Sequence, residues 1–191
     1  MDADAPHHSA VSVSLVSPAP RFPPAPGESG ARSEFAACYE QEIVRLTRFV
    51  MHLGAAPHEA ADIAQSAFAV AFEQWESIQH PRAWLRTVAQ RKMQAMRYPR
   101  EELTDQLPDL PGGRCPVDAV ELSEEEARVY EALSWLPDRQ REVMAWTLDG
   151  YKPQEIARLM KVTPEAVRQN LHRGRTLLKR ALLSPASGGA R

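Results

Sequence analysis

VTPEAVRQNLHRGR, residues 162–175, reads as a basic helix entered through a tight turn. Thr163 can accept from the free amides at the helix start, Pro164 suits the first helical position, and Glu165 opposes the positive helix end. Val167, Leu171, Gly174 and Leu178 then fall at i, i+4, i+7 and i+11, which predicts one buried stripe. At about 100° per residue, Gln169, His172 and Thr176 project from the opposite side, flanked by Arg168 and Arg173. Upstream, Tyr151, Lys152 and Pro153 open a short helix that carries Ile156, Ala157 and Met160 inward. The turn between the two helices holds Lys161 where glycine is common. A non-glycine residue in a left-handed conformation costs about 1 kcal/mol, so a longer or differently shaped turn is expected. An apolar back and a hydrogen-bonding front fit a helix-turn-helix whose second helix enters the DNA major groove.

Any surface helix has a polar front, so charge has to separate this reading from a solvated helical hairpin. Residues 151–183 contain eight bases (Lys152, Arg158, Lys161, Arg168, Arg173, Arg175, Lys179, Arg180) and two acids (Glu155, Glu165). That local balance of +6 sits in a chain whose net charge is −2, so positive charge is concentrated where the helix-turn-helix is predicted.

Working back from this stretch, helical periodicity resumes near Ser123 with Val129, Leu133 and Leu136, and breaks at Pro137. Asp138 is expected to cap a helix carrying Val143, Met144, Trp146 and Leu148 inward and ending near Gly150. Residues 99–126 reverse the sign, with nine acids against Arg100 and Arg114. Together with Pro99, Pro108, Pro111, Gly112, Gly113 and Pro116, they read as an extended acidic linker. Before it, residues 81–97 form a helix begun at Pro81, with Trp84, Leu85, Val88, Ala89, Met93 and Met96 on its apolar side. Residues 81–100 carry six bases (Arg82, Arg86, Arg91, Lys92, Arg97, Arg100) and no acid, a second patch of +6. Trp75, Trp84 and Tyr98 lie near it, and basic and aromatic groups together suit single-stranded nucleic acid, where stacking is worth ~1–3 kcal/mol per base.

Helices are also predicted over 34–53 (Phe35, Tyr39, Ile43, Leu46, Phe49, Val50, Leu53) and 57–75. The second has Ala60, Ala64, Ala67, Phe68, Ala71 and Trp75 inside, with Ile63 and Phe72 at the edges. Asp62, Gln65, Ser66, Ala69 and Glu73 face outward, where either a docking helix or solvent would suit them. Residues 1–33 and 184–191 read as a disordered Pro/Ser/Ala-rich tail and a frayed end. The fold class is therefore all-α, with two small helical units over 34–98 and 123–183 joined by a linker over 99–122.

Several function classes find no support. There is no Gly-rich phosphate loop, nucleophile motif or metal cluster, so no enzyme, cofactor or metal is expected. Cys38 and Cys115 lack ligand or disulfide-framework spacing. Nothing approaches the ~20 apolar residues of a membrane span, and no basic segment precedes VSVSLV as in a signal peptide. A cytoplasmic location without membrane insertion is expected.

Two stretches carry one resemblance. LPDRQREVMAWTLDGYKPQEIARLMKVTPEAVRQNLHRGRTLLKRAL resembles region 4 of bacterial sigma factors of the extracytoplasmic-function (group 4, sigma-70 family) type. EAADIAQSAFAVAFEQW resembles their region 2.2, with the D-x-x-Q-x-x-F pattern on Asp62, Gln65 and Phe68, and PRAWLRTVAQRKMQAMR resembles the helix after the −10 recognition loop. The resemblance implies a sigma-2 bundle and a sigma-4 helix-turn-helix in a promoter-specificity subunit. Asp62, Gln65, Ser66 and Ala69 would dock on the β′ clamp helices of core RNA polymerase, with sigma-4 on the β flap. Ser77, Gln79 and His80 would receive a flipped base of the single-stranded −10 element, and Arg82, Arg86 and Arg91 would hold phosphates. Arg168, Gln169, His172, Arg173 and Arg175 would face duplex DNA at −35. An anti-sigma partner is implied as well.

The chain departs from the family pattern at Ser66, where many members have an acid, and at Arg91 and Lys92, where asparagine is common. Two other readings stay open: a stand-alone helix-turn-helix regulator, which would bind palindromic half-sites as a dimer, and a sigma paralogue acting only as a protein-binding adaptor.

Overall fold

Helix α1 (Glu28–His52) supplies the surface on which both halves of the chain assemble. It begins six residues before the expected start at 34, because Glu28 favours a helix N-terminus and Ala31 and Arg32 are strong helix formers. The computed structural model describes residues 28–97 and 122–183. The expectations for most of the N-terminal tail, nearly all of the acidic linker, Tyr98, Arg100, Cys115 and the end after 183 lie outside the described residues.

Helix α1 ends at a left-handed glycine, Gly54 (φ +96°), whose N–H donates to the Met51 carbonyl at 2.7 Å. A side chain there would be strained by the backbone and would also meet the Arg141 and Arg97 guanidinium groups. Helix α2 (Pro57–Glu73) starts with proline at its first turn, and the Ala56 N–H donates to the Glu59 carboxylate at 2.9 Å. Ala60, Ala64, Ala67, Phe68 and Ala71 are buried as the periodicity requires, joined by Ala61 and Ile63. A 3₁₀ turn (Trp75–Ser77) leads to helix α3 (Pro81–Arg97), and α1, α2 and α3 pack on one another.

The second half holds α4 (Glu124–Ser134), α5 (Asp138–Leu148), α6 (Pro153–Met160) and α7 (Pro164–Leu183). Ser123 and Glu126 form a reciprocal capping box at the start of α4. At its other end, Arg141 donates to the carbonyls of Leu133, Ser134 and Leu136, closing the end of α4 and the connection that follows it. Asp138 is the first residue of α5 rather than its cap; Pro137 occupies the cap position, and the Asp138 carboxylate pairs with Arg97. Lys161 adopts the left-handed conformation itself (φ 54°, ψ 45°), so the turn keeps its tight shape despite the lysine.

The two halves share one continuous apolar core, in which Leu46, Phe49 and Val50 of α1 join Trp146, Ile156 and Val167. Trp146 is 0% exposed and meets Phe49 edge-on, with ring centroids 5.0 Å apart, a geometry worth about 0.5–1.5 kcal/mol beyond area burial. Met96, Leu148 and Val129, expected inside, are exposed because they lie at the margins of their stripes, where no second helix covers them. The described residues form only helices and turns, and none of these helices is long and apolar enough to cross a membrane.

Candidate DNA and polymerase interface

The front of α7 is built from its first turn. Thr163 Oγ1 accepts from the Ala166 N–H at 3.2 Å, and Pro164 opens the helix. Val167, Leu171 and Gly174 are buried against α5 and α6, with Leu178 half-buried beside them. That anchoring turns Arg168, Gln169, His172, Arg173 and Arg175 outward, and all five are exposed. Arg168 donates to Glu165 at 2.8 Å. A hydrogen bond from its own backbone N–H, and then Arg168, hold the Glu165 carboxyl below the usual carboxylate range. Thr176 donates to the His172 carbonyl at 2.9 Å, which removes its hydroxyl from the front.

The second cluster surrounds the connection from α2 to α3. Ser77 donates to the Gln74 carbonyl at 2.8 Å, and Gln79 and His80 stand exposed before α3. Beside them lies a cleft of about 350 Å³ whose walls include Phe35, Phe72, Trp75, Glu76 and Ser77. The Phe35 ring sits 5.1 Å from both Phe72 and Trp75, edge to face in each case, and Phe72 remains 52% exposed. Sequence periodicity could not have found this cleft, since it placed Phe72 at a helix edge and Trp75 inside. Next to it on α2, Asp62 is exposed and Gln65, Ser66 and Ala69 are half-exposed along one face.

The five bases over 81–97 are presented very differently. Arg91 is exposed, whereas the Arg86 side chain is 0% exposed. Arg86 Nη2 donates to Asp149 Oδ1 at 3.1 Å, Nε donates to Asp149 Oδ2, and Nη1 donates to the Arg82 carbonyl at 3.1 Å. Glu42 Oε2 lies 2.7 Å from Arg86 Nη2, a second ion pair on the same guanidinium. Burial alone would lower the Arg86 pKa, but hydrogen bonding and charge from Asp149, and then from Glu42, outweigh it and leave the group raised. Arg82 donates to the Asp149 carbonyl at 2.6 Å and to its Oδ2 at 3.3 Å, and its guanidinium lies 5.5 Å from the centre of the Tyr151 ring. Glu42, Asp149 and Tyr151 thus belong to this site, and the sequence reading missed them. Local spacing could not have found the pairing, because Asp149 lies 63 residues from Arg86.

A three-helix bundle with an exposed helix face and an aromatic cleft, followed by a basic helix-turn-helix, defines a two-part DNA-binding transcription protein. Models of sigma-70 region 2 and sigma-70 region 4 match residues 38–97 and 126–178, and between them they span more than half of the chain. The chain belongs to the sigma-70 family, in the two-region form of the extracytoplasmic-function factors. Among solved structures it is similar to CnrH, solved in complex with the cytosolic domain of CnrY. That match has 22% identity and a TM-score of 0.60, and covers 83% of this chain and 93% of that one. It is also similar to the sigma factor RpoE of Bartonella quintana, solved with the anti-sigma factor NepR. There the identity is 16% and the TM-score 0.60, over 80% of this chain and 99% of that one. No curated protein matches the chain. Membership makes it a promoter-specificity subunit, whose two regions bind core RNA polymerase and promoter DNA. Sigma factors are non-catalytic regulatory subunits.

Proposed function

We propose the following division of labour within this sigma subunit. Asp62, Gln65, Ser66 and Ala69 on α2 dock on the clamp helices of the polymerase β′ subunit. Ser77, Gln79 and His80 receive an unstacked base of the −10 element, and the cleft beside them offers the Phe72 ring for stacking. Arg82, Arg86 and Arg91 hold phosphates of that strand. Arg168, Gln169, His172, Arg173 and Arg175 meet the −35 duplex, with sigma-4 also contacting the β flap. The observation that carries this reading is that α7 turns five hydrogen-bonding or charged side chains outward on an apolar back buried at Val167, Leu171 and Gly174. The protein works in the cytoplasm without cofactor or metal and without inserting into a membrane. That CnrH and RpoE were each solved with a protein partner supports an anti-sigma partner here.

In vitro transcription with core polymerase, the full chain and a promoter library tests this reading. Specific start sites that depend on the added protein are expected. Stable polymerase binding without specific starts would instead favour a protein-binding adaptor.

A further inference from the structure

Residues 18–26, PAPRFPPAP, carry five prolines around Arg21 and Phe22 and precede residue 38, where the family match begins. Proline fixes φ at about −65°, so such a stretch favours the extended polyproline II form and loses little entropy when it binds. Segments of this kind dock in grooves lined with aromatic rings. Arg21 is also the first lysine or arginine of the chain, and Arg32 is the next.

The described chain leads from this stretch directly into the wall of such a groove. Ala31, Arg32 and Phe35, in the first turns of α1, line the cleft of about 350 Å³ together with the end of α2 and the 3₁₀ turn. Phe35, Phe72 and Trp75 supply three rings, and Phe72 is 52% exposed where Phe68, one turn earlier, is 2% exposed. The side chains on the α2 side offer a newcomer acceptors. Glu73 and Glu76 are exposed carboxylates. Gln74 Nε2 already donates to the Val70 carbonyl at 3.4 Å, and the Ser77 hydroxyl to the Gln74 carbonyl at 2.8 Å. The end of α2 adds the negative end of its dipole. Two acids against Arg32 leave the walls with a surplus of negative charge, which suits an arginine next to an apolar residue.

Reach is not limiting. The six residue steps from Phe22 to Glu28 span up to about 20 Å, and Ala31 to Phe35 lie only about 5–10 Å along the α1 axis from Glu28. Gly27 stands where the chain has to reverse.

We propose that residues 20–26 of the chain's own tail are the occupant of this cleft. Phe22 and the prolines after it pack on Phe72 and Trp75, and Arg21 meets Glu73 and Glu76. So short a tether keeps the segment at an effective concentration on the order of millimolar, and a weak contact suffices. The inference goes beyond the promoter assignments and does not depend on them. Where both hold, the tail and an unstacked −10 base share the Phe72 ring, and only one of them can lie on it at a time.

The test uses the full chain with the photo-cross-linker p-benzoylphenylalanine in place of Phe22, irradiated at low protein concentration and mapped by mass spectrometry. Cross-links within one chain should fall on residues 72–77 and on the first turns of α1. Arg21→Glu should lower their yield by up to about fivefold, the size that an exposed ion pair allows. Adding Glu73→Arg and Glu76→Arg to that variant should restore it, and because both side chains are exposed the core stays intact. As an independent arm, 5-fluorotryptophan is incorporated and the Trp75 resonance is followed by fluorine NMR. Phe22→Ala with Pro23→Ala and Pro24→Ala should shift that resonance and leave the one from the fully buried Trp146 in place. Cross-links scattered over the surface, or an unmoved Trp75 resonance, overturn the proposal. Cross-links between chains overturn it as well, and make the cleft a site for a second copy's tail. A yield that falls with Arg21→Glu and is not restored by the reversed acids overturns the pairing of Arg21 with Glu73 and Glu76.

Discussion

Residues 81–97 and 151–183 carry similar net charges, +5 and +6, yet the folded chain presents them in opposite ways. In α7 the apolar stripe is satisfied by α5 and α6, so Arg168, Gln169, His172, Arg173 and Arg175 are left facing water. In α3 the stripe from Arg82 to Arg97 faces α5, and its arginines answer the carboxylates of Asp149 and Asp138. A charge count measures how attractive a segment is to nucleic acid. Whether that attraction is available depends on which acids the fold brings beside it.

The largest effect should come from removing the packing that holds the α3 stripe against α5. Trp146→Ala should destabilise the protein by about 3–5 kcal/mol in denaturant unfolding, since it empties the shared core and strands the Gln90 amide oxygen, which accepts from Trp146 Nε1. Both halves should weaken together, and two separate transitions in the wild-type protein would show that the shared core adds little.

The same interface should respond to acid at its other edge. His52 stacks on Tyr130 at 4.9 Å between α1 and α4, and burial, opposed in part by Asp149, lowers its pKa to about 4. The folded state therefore disfavours the protonated ring while the unfolded chain accepts it near 6.5. Stability contributed by neutral His52 is complete above pH 6.5, falls as pH drops toward 4, and is flat below that. The loss should reach up to about 3 kcal/mol, and His52→Gln should flatten that part of the pH profile.

Smaller effects should separate the exposed faces from each other. Arg173→Ala should weaken binding of assembled polymerase to the −35 duplex by about 1–3 kcal/mol and leave polymerase assembly unchanged. Asp62→Ala should do the reverse, weakening assembly by about 1 kcal/mol in a competition assay. Equal effects of both changes in both assays would erase the division of labour. The smallest change expected is a gain. A methyl group at Gly174 would meet Met144, Gln140 and Leu136 at ordinary contact distances of 3.5–3.7 Å. Gly174→Ala should therefore stabilise α7 by about 0.5–1 kcal/mol, read as a rise in the unfolding midpoint, while the α7 front keeps its DNA affinity.

Much of the architecture was legible because it is written in short-range spacing. The Thr163-Pro164 helix start, the alanine-rich inside of α2 and the span of α3 follow from residues three and four apart. Some local details were decided differently. Lys161 takes the left-handed turn that its side chain disfavours, because the anchored helices on either side leave the chain no longer route. Met96 and Leu148 keep the periodicity of buried residues but lie where no helix reaches them.

For the candidate site, the sequence by itself determined which helices carry basic and hydrogen-bonding fronts, and the order of the two regions that defines the family. Helical periodicity and local charge carry that information within about four residues of any position. Only the tertiary structure decided that Arg86 is buried, that Asp149 and Glu42 neutralise it, and that Phe35, Phe72 and Trp75 open a cleft together. Those outcomes depend on groups as far as 63 residues apart, brought together by a core that neither half closes alone.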